Sequence, residues 1–448
     1  MRKRFRIYYI AAVRKLRLQR RIKELLKRSR KKDAVRNALD EFNLEYCPRG
    51  NKNSLETSMS AANDNTPLVK RINGLLIDAI EASASDLHFE PYESDYRIRF
   101  RIDGLLHEII KPSIKLAGRL ASRIKVMAQM DIAKKRLPQD GRIKLRLSSV
   151  RSIEFRVNTL PTLWGEKIVL RILDPLNILL GVDALGFEAL QKEQYLRALE
   201  KQQGFILVTV PTGSGKTISL YNALSILNTN QRNISAAEDP VEINLPGINQ
   251  VSVNPRIGLN FASAMRAFLR QDPDIIMVGE VRDLITAEMA IRTAQTGHLV
   301  LSTLHTNSAA ASITRLRSMG IPAFNLANSL SLIVAQRLAR RLCNNRKESV
   351  EIPEKVLIEE GFKREKLARA RIHRATGCDI CRDGYSGRIG FYEVVPISAT
   401  LSRIIMDDGD AIHLAEQARK EGCLSLRDAV LLKVAQGITS LEEANRLT

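Results

Sequence analysis

A glycine-rich loop between a predicted strand and a predicted helix constrains the fold of this 448-residue chain more than any other feature. The run "FILVTV" has the composition of a buried strand, and a helical pattern follows the loop "PTGSGKT". Glycines let backbone N–H groups turn inward around phosphate oxygens, Lys216 supplies a positive charge, and the Thr217 hydroxyl can bind Mg²⁺. The residues predicted to bind ATP are Pro211, Thr212, Gly213, Ser214, Gly215, Lys216 and Thr217.

One position of this loop departs from the strict phosphate-loop pattern. The pattern places a glycine five residues before Gly215, where this chain has Val210. A plain Gly/Ser turn before a helix is the structural alternative, and the coincidence of Gly-Lys-Thr, strand and helix disfavours it. We therefore expect nucleotide binding, while Val210 leaves the loop conformation and the turnover rate open.

Polar residues follow the next predicted strands at the points where those strands end. The runs "NISAA", "DIIMVG" and "LVLSTL" alternate with helical stretches, which is typical of a parallel sheet. Ligands bind beyond the carboxyl ends of the strands in such sheets. That rule selects Glu238 with Asp239, Glu280, and His305, although a single acid at a strand end is more often a cap or a surface residue. Two carboxylates and a histidine beside the loop suffice in kind for phosphoryl transfer.

The segment before the loop has the pattern of an α+β domain. The stretch "YRIRFRI" alternates apolar residues with Arg97, Arg99 and Arg101, and Asp103-Gly104 marks the turn of a hairpin. A helix is predicted over about 114–132, and the alternating runs "RIKLRL", "IEFRV" and "KIVLRI" predict further strands of an antiparallel sheet.

Positive charge is concentrated at the start of the chain. Residues 1–36 contain 16 Lys or Arg and two acids, a net +14, so the other 412 residues contribute only +7 of the total +21. Loosely helical apolar spacing within this arm favours docking on an anionic membrane surface or an acidic partner helix. Nucleic acid is the competing ligand, and a solvated tail without a partner is the structural alternative.

The cysteine count and the length of the apolar runs indicate the cellular compartment of the protein. Five cysteines in so long a chain cannot form a disulfide framework, and their odd number favours a reducing environment. The longest apolar run near the start, Ile7 to Val13, is too short to span a membrane and lacks a signal-cleavage site. We therefore expect a soluble, intracellular protein.

Four longer motifs resemble the ATPases of type II secretion and type IV pilus assembly. They are "VPTGSGKT", "AAEDPVEI", "FLRQDPDIIMVGEVRD" and "TGHLVLSTLHTNSA". The upstream motifs "SDLHFEP", "RIRFRIDGLLHEI", "LPQDGRI" and "LPTLWGEKIVLRIL" are similar to the second N-terminal domain of the same family. The resemblance covers about residues 67 to 448.

The resemblance implies a fold, a function and partners. The implied fold class is α/β: a PAS-like α+β domain, then a RecA-like phosphate-loop domain with a doubly wound, mainly parallel sheet and a helical C-terminal end. The implied function is that of a homohexameric, cytoplasmic ATPase that extrudes pilin-like subunits. It docks on an inner-membrane platform protein and an associated docking protein, at the inner face of the bacterial inner membrane.

The predicted domains are an N-terminal arm (1–47), a linker (48–66), a PAS-like domain (67–175), a RecA-like core (180–340), a cysteine-knuckle subdomain (341–392) and a helical subdomain (393–448).

The resemblance also assigns roles to residues. Glu238 is the implied base for water, and Glu280 is the acid that binds Mg²⁺ together with Thr217. His305 is implied either to sense the γ-phosphate or to couple neighbouring subunits. In this family, arginines of the N-terminal domain reach the nucleotide, which implies nucleotide sensing. The candidates are Arg99 and Arg101 of that domain, together with Arg270, which precedes Gln271 near the strand that leads to Glu280. For the hairpin arginines, a solvated polar strand face is the structural alternative.

Two further departures concern cysteines and length. Family members with a zinc knuckle carry two Cys-x-x-Cys pairs, but here the first pair reads "CNNR", so Arg346 stands where the second cysteine is expected. Three thiolates could bind zinc with a fourth ligand such as His373, or the metal could have been lost. The remaining candidates are Cys343, Cys378 and Cys381. Only about 66 residues precede the matching region, whereas many relatives have a longer first domain.

Two other functions compete with the motor. A non-hydrolysing scaffold would explain Val210 and the eroded cysteine motif. A nucleic-acid motor would explain the net charge, but the modest charge outside residues 1–36 and an aromatic content of 5% weigh against it.

Overall fold

The computed structural model describes residues 67–147, 151–174, 181–209, 215–368, 370–379 and 381–448. The N-terminal arm, the linker and Val210–Ser214 lie outside the described residues, as does the side chain of Lys216. The chain divides into two compact units, of which the second consists mainly of Leu173–Thr448. The finer division of that unit into core, cysteine knuckle and helical subdomain remains a prediction.

The first unit is built on a six-stranded sheet with strand order β3-β2-β1-β6-β5-β4. Strands β1 and β6 pair antiparallel, as do β4 and β5. Two helices accompany the sheet. The elements are α1 (Pro67–Glu81), β1 (Ala84–Pro91), β2 (Tyr96–Ile102), β3 (Leu105–Ile110), α2 (Ala117–Met127), β4 (Gln139–Arg146), β5 (Ser152–Thr162) and β6 (Gly165–Leu173).

The predicted hairpin is confirmed. Apolar residues of β2 are buried and its arginines are partly exposed, in strict alternation. Asp103 and Gly104 have φ angles of 50° and 90°. Positive φ at both central residues matches the right-handed twist of the flanking strands, which explains why Asp-Gly stands at this turn.

The helix predicted over 114–132 is shorter in the structure. A single 3₁₀ turn, Ile114–Leu116, precedes α2, which ends at Met127. Gln129 has a φ of 56°, a left-handed conformation that a right-handed helix cannot continue through. The Gln139 side chain then donates to the carbonyls of Asp131 and Lys134, both at 2.9 Å, and holds the following segment as a loop.

The second unit is built on a seven-stranded sheet with strand order β15-β12-β7-β11-β10-β8-β9. All adjacent pairs from β12 to β9 are parallel, and β15 pairs antiparallel with β12. This sheet is therefore mixed but mainly parallel, as expected. Its strands are β7 (Gly204–Thr209), β8 (Ile234–Glu238), β9 (Asn249–Ser252), β10 (Ile275–Val278), β11 (Leu299–Leu304), β12 (Leu330–Leu342) and β15 (Tyr385–Pro396); β13 (Lys347–Ser349) and β14 (His373–Ala375) form a separate ribbon.

Helices cover both faces of this sheet. Phe205 and Leu207 of β7 lie in one buried core, whereas Ile206 and Val208 lie in another. Because successive strand residues point to opposite faces, each face buries its own layer of helices. The helices are α3 (Val182–Leu185), α4 (Ala189–Leu199), α5 (Lys216–Leu227), α6 (Phe261–Phe268), α7 (Leu284–Gln295), α8 (Ala309–Ser318), α9 (Ala323–Ser329), α10 (Glu354–Glu359), α11 (Arg364–Leu367), α12 (Ala399–Met406), α13 (Ala411–Lys420), α14 (Leu426–Ala435) and α15 (Leu441–Leu447).

Candidate functional site

The carboxyl ends of four parallel strands meet at one edge of the larger sheet. Thr209 of β7 is in register with Leu304 of β11, and Val278 of β10 is in register with Ala237 of β8. Val278 is also in register with Ser302, so β11 extends two residues beyond β10, and the strands end at the same edge of the sheet. This edge carries the candidate catalytic residues Glu238, Glu280 and His305.

Glu280 and His305 are in direct contact. His305 Nε2 lies 3.0 Å from Glu280 Oε2, and the Arg282 guanidinium forms an ion pair with Oε1 of the same carboxylate. Arg282 also lies 3.1 Å from the carboxylate of Asp239. Glu280 is buried while His305 and Arg282 are about half exposed, so the carboxylate faces outward through these two side chains.

Glu238 is buried at the end of β8, the strand that pairs with β10, and its carboxylate accepts hydrogen bonds from two other side chains. The Tyr221 hydroxyl donates to Glu238 Oε2, and Gln250 Nε2 donates to Oε1 at 2.9 Å. Burial raises the pKa of Glu238 above its usual value, although these two hydrogen bonds oppose the shift. A buried carboxylate with a raised pKa is suited to accepting a proton from water.

The start of α5 provides donors at the same edge. Gly215 precedes the helix with a φ of 84°, and a Cβ there would lie 3.1 Å from the amide nitrogen of Gln336. Glycine is required because the left-handed conformation strains other residues. The first N–H groups of a helix have no intrahelical partner and carry a partial positive charge, so this terminus can hold a phosphate.

A chain of hydroxyls joins the strand before the phosphate loop to the residue after His305. Thr209 Oγ1 donates to the Thr306 carbonyl at 2.9 Å and accepts from its N–H at 3.2 Å. The Thr306 hydroxyl lies 2.6 Å from that of Ser312 on α8. These hydrogen bonds hold the end of β7 against the residues that follow β11.

The three sensing candidates lie in different surroundings. Arg99 donates to the buried carboxylate of Glu90 at 2.8 and 3.0 Å, and Lys167 lies 3.1 Å from the same group. Burial alone would raise the pKa of Glu90, but Arg99 and Lys167 outweigh it and lower the pKa to about 2. Arg101 donates to the Gly104 carbonyl in the hairpin turn, and Arg270 donates to the carbonyl of Arg266.

The three candidate metal-binding cysteines are clustered. Cys378 Sγ lies 3.7 Å from that of Cys343 and 3.3 Å from that of Cys381. Sulfur atoms of a tetrahedral zinc site lie about 3.8 Å apart, since Zn–S bonds are about 2.3 Å long. The cluster could therefore hold a metal ion such as zinc.

His373 does not belong to this cluster, contrary to the expectation of a fourth ligand. Its Nδ1 lies 2.8 Å from the Arg371 carbonyl, because pairing of β14 with β13 turns the residue toward that segment. Arg346 is exposed after the turn that follows Cys343.

Three residues of the site were not predicted from the sequence. Arg282, Tyr221 and Gln250 touch the candidate acids. Arg282 lies within the motif "FLRQDPDIIMVGEVRD" but had no role assigned to it, and the other two lie outside the quoted motifs. One usable signal was the buried helical position of Tyr221, since a buried tyrosine hydroxyl needs a partner.

Within the described residues, no helix has the length and apolar character needed to cross a membrane.

Comparisons with known proteins identify the family of this chain. Residues 61–446 match the family model described as "Type II/IV secretion system protein". The chain is 60% identical over 411 residues to the "Type IV pilus assembly ATPase PilB" of Pseudomonas aeruginosa, covering 92% of this chain and 73% of that protein. It is 46% identical over 387 residues to the "Type II secretion system ATPase E" of Vibrio cholerae, covering 86% and 76%.

Solved structures show the same fold. The ATPase DotB of Legionella pneumophila superposes with a TM-score of 0.63 at 21% identity, covering 86% of this chain and 96% of that one. The pilus retraction motor PilT with bound ADP gives a TM-score of 0.57 at 25% identity, covering 84% and 96%. From its sequence and its fold, this chain belongs to the type II/IV secretion system protein family.

Proposed function

We propose that this chain is the ATPase that powers type IV pilus assembly or type II secretion, and that it works as a homohexamer. The observation that carries the proposal is the strand edge. There Glu280 contacts His305, and Glu238 lies buried on the neighbouring strand, beside the helix that begins at Lys216. The similarity to a pilus assembly ATPase over 92% of the chain supports the same function.

ATP and Mg²⁺ fit the residues at this edge. The N–H groups at the start of α5 would bind a phosphate, and Lys216 would add a positive charge. Thr217 and Glu280 would hold Mg²⁺, since each carboxylate oxygen of Glu280 keeps a lone pair beyond its contact with Arg282 or His305. Mg²⁺ neutralises charge on the phosphates, and the chain orients the groups around it.

Glu238 is the proposed base that orients and deprotonates the attacking water. Its carboxylate is held at both oxygens, so it has one orientation toward the strand edge. His305 is the proposed sensor of the γ-phosphate, because its contact with Glu280 couples its position to that carboxylate.

Arg99 and Arg101 are proposed to sense nucleotide, as the family resemblance implies. Replacing each with alanine is expected to lower kcat for ATP hydrolysis by about tenfold or more in at least one variant, because a cation that stabilises transition-state charge is lost. Arg142→Ala is the matched control, since this β4 arginine forms a partly exposed pair with Glu154. Rates equal to that of the control in both variants would refute the role.

The proposal includes the identity of the two units and the partners of the chain. The first unit is the PAS-like domain, and the second contains the RecA-like core. The platform and docking proteins of the inner membrane are the proposed partners, and the basic arm is proposed to contact anionic lipid at the inner face of that membrane.

Steady-state ATP hydrolysis by the purified chain tests the proposal. With Mg²⁺ and anionic vesicles, we expect turnover that EDTA abolishes and that duplex DNA does not raise. Nucleotide binding without turnover in every condition would favour the scaffold. Strong, salt-sensitive stimulation by DNA would favour a nucleic-acid motor.

A further inference from the structure

Tyr221 is a buried tyrosine whose hydroxyl meets the site. Its ring lies in the core between α5 and the sheet, and the residue is 1% exposed. The hydroxyl donates to Glu238 Oε2 and lies within 3.5 Å of the backbone nitrogens of Glu242 and Ile243. A tyrosine hydroxyl offers one donor and two acceptor positions, and all three face this carboxylate and the loop that follows it.

Gln250, on β9 after that loop, contacts the same carboxylate. Its amide nitrogen donates to Glu238 Oε1 and to the Ile243 carbonyl, each at 2.9 Å. Its amide oxygen accepts from the Leu245 N–H at 2.7 Å. The two side chains therefore hold both oxygens of Glu238 and the backbone of residues 242–245.

The arrangement does more than fill the core. A phenylalanine would fill the same volume, whereas the hydroxyl satisfies a carboxylate that is 5% exposed. Hydrogen bonds to an ionised group are roughly twice as strong as neutral ones and fix its direction. Tyr221 also belongs to α5, so the helix that starts at the phosphate loop is hydrogen-bonded directly to Glu238.

We propose that Tyr221 and Gln250 are positioning residues that hold the Glu238 carboxylate toward the attacking water. The inference rests on the proposed function, in which Glu238 is the base. A carboxylate has about four acceptor positions, and the two side chains and the Glu242 N–H do not occupy all of them, so the clamp leaves Glu238 able to accept a proton. Neither side chain needs to touch ATP for this role.

Tyr221→Phe in the full-length chain is the first test. We expect kcat to fall about 10- to 100-fold, the value of a hydrogen bond to a charged group, while KM for ATP stays within about twofold. Tyr392→Phe is the matched control, because its hydroxyl is equally buried in the same core but donates to the Leu185 carbonyl. We expect that variant to keep the native kcat.

A double-mutant cycle separates positioning from core packing. In a Glu238→Gln background, measured with γ-labelled ATP to resolve low rates, adding Tyr221→Phe is expected to change the rate by less than about twofold. The same fold-loss in both backgrounds would overturn the inference, as would an equal loss in Tyr392→Phe. Gln250→Met removes the second hydrogen-bond donor to Glu238, on β9 instead of α5, and should lower kcat in the native background but not in the Glu238→Gln background. This variant replaces Tyr221→Phe in the test if Tyr221→Phe does not fold.

The two proposals fail in different ways. A native chain that does not turn over ATP, or a Glu238→Gln variant with native kcat, would refute the proposed role of Glu238. An inactive Glu238→Gln beside Tyr221→Phe and Gln250→Met variants of native kcat would leave that role standing and overturn only the positioning inference.

Discussion

Replacing Glu280 with glutamine is expected to lower kcat for ATP hydrolysis about 10²- to 10³-fold while leaving ATP binding intact. The substitution keeps the shape of the side chain but removes the negative charge that faces Arg282 and His305 and that, under the proposed function, would bind Mg²⁺. A preorganised charged group at a site of phosphoryl transfer contributes on this scale, whereas the phosphates stay bound by the loop and by the start of α5.

The measurement is a pair of assays on the same preparations. Steady-state turnover gives kcat, and fluorescent-nucleotide titration gives the dissociation constant. Glu288→Gln is the matched control, because Glu288 is a half-exposed acid of α7 that pairs with Arg292 at 3.6 Å. We expect the control to be native in both assays.

A melting-temperature measurement distinguishes a loss of catalysis from a loss of folding in Glu280→Gln. Arg282 is 58% exposed, so water solvates its charge when Glu280 is neutral, and thermal stability should change little. A Glu280→Gln variant that turns over ATP like the control would show that this acid is not catalytic. A fall in binding together with a fall in melting temperature would instead assign it a structural role.

Features set by neighbouring residues could be predicted from the sequence. The β2–β3 hairpin follows from strict alternation and from Asp103-Gly104, which is a local rule of backbone conformation. The parallel strands follow from short buried runs separated by helical stretches. The position of Glu238, Glu280 and His305 at one edge follows in turn, because residues after parallel strands share an edge.

Pairings between distant residues could not be predicted. Strand β12 contains Ala, Leu, Arg and Gln, which favour helix, yet it lies between β7 and β15. Arg337 pairs with Phe391 in that ladder, and β15 runs across the boundary predicted between residues 392 and 393. Tertiary hydrogen bonding decides such segments, and a local pattern does not contain it.

The partners of the site residues were missed for the same reason. Tyr221, Gln250 and Arg282 each reach an acid from another element or around a turn, so their role depends on how α5, β8, β9 and β10 pack together. Sequence patterns identified the acids, whereas only the structure identified the side chains that contact them.

Removing the Glu443 carboxylate is expected to destabilise the chain by about 3–5 kcal/mol, because it leaves buried arginine without its partner. Glu443 of α15 is fully buried and accepts from Arg340 Nε at 3.0 Å and from Arg446 Nη2 at 2.7 Å. Arg340 on β12 is only 14% exposed and lies over the Tyr385 ring at 3.9 Å. Glutamine keeps the volume but turns one acceptor into a donor that faces guanidinium groups.

Chemical denaturation of Glu443→Gln beside Glu354→Gln measures this effect. Glu354 pairs with Arg364 on the surface of α10, where both side chains are more than half exposed, so the control should unfold near the native midpoint. Equal midpoints for the two variants would show that the buried pair adds nothing to stability.

The pH dependence identifies the carboxylate charge as the cause. Burial would raise the pKa of Glu443, but the hydrogen bonds from Arg446 and Arg340 outweigh it and lower the pKa below its usual 4.5. A depressed folded-state pKa means that the unfolded state binds the proton first, so this stabilisation is complete above about pH 4.5 and is lost as the pH falls through the folded-state pKa. The gap in unfolding free energy between the native chain and Glu443→Gln should therefore be constant near neutral pH and shrink below pH 4.5. A gap that stays constant into the acid range would mean that glutamine destabilises through its shape and not through the missing charge.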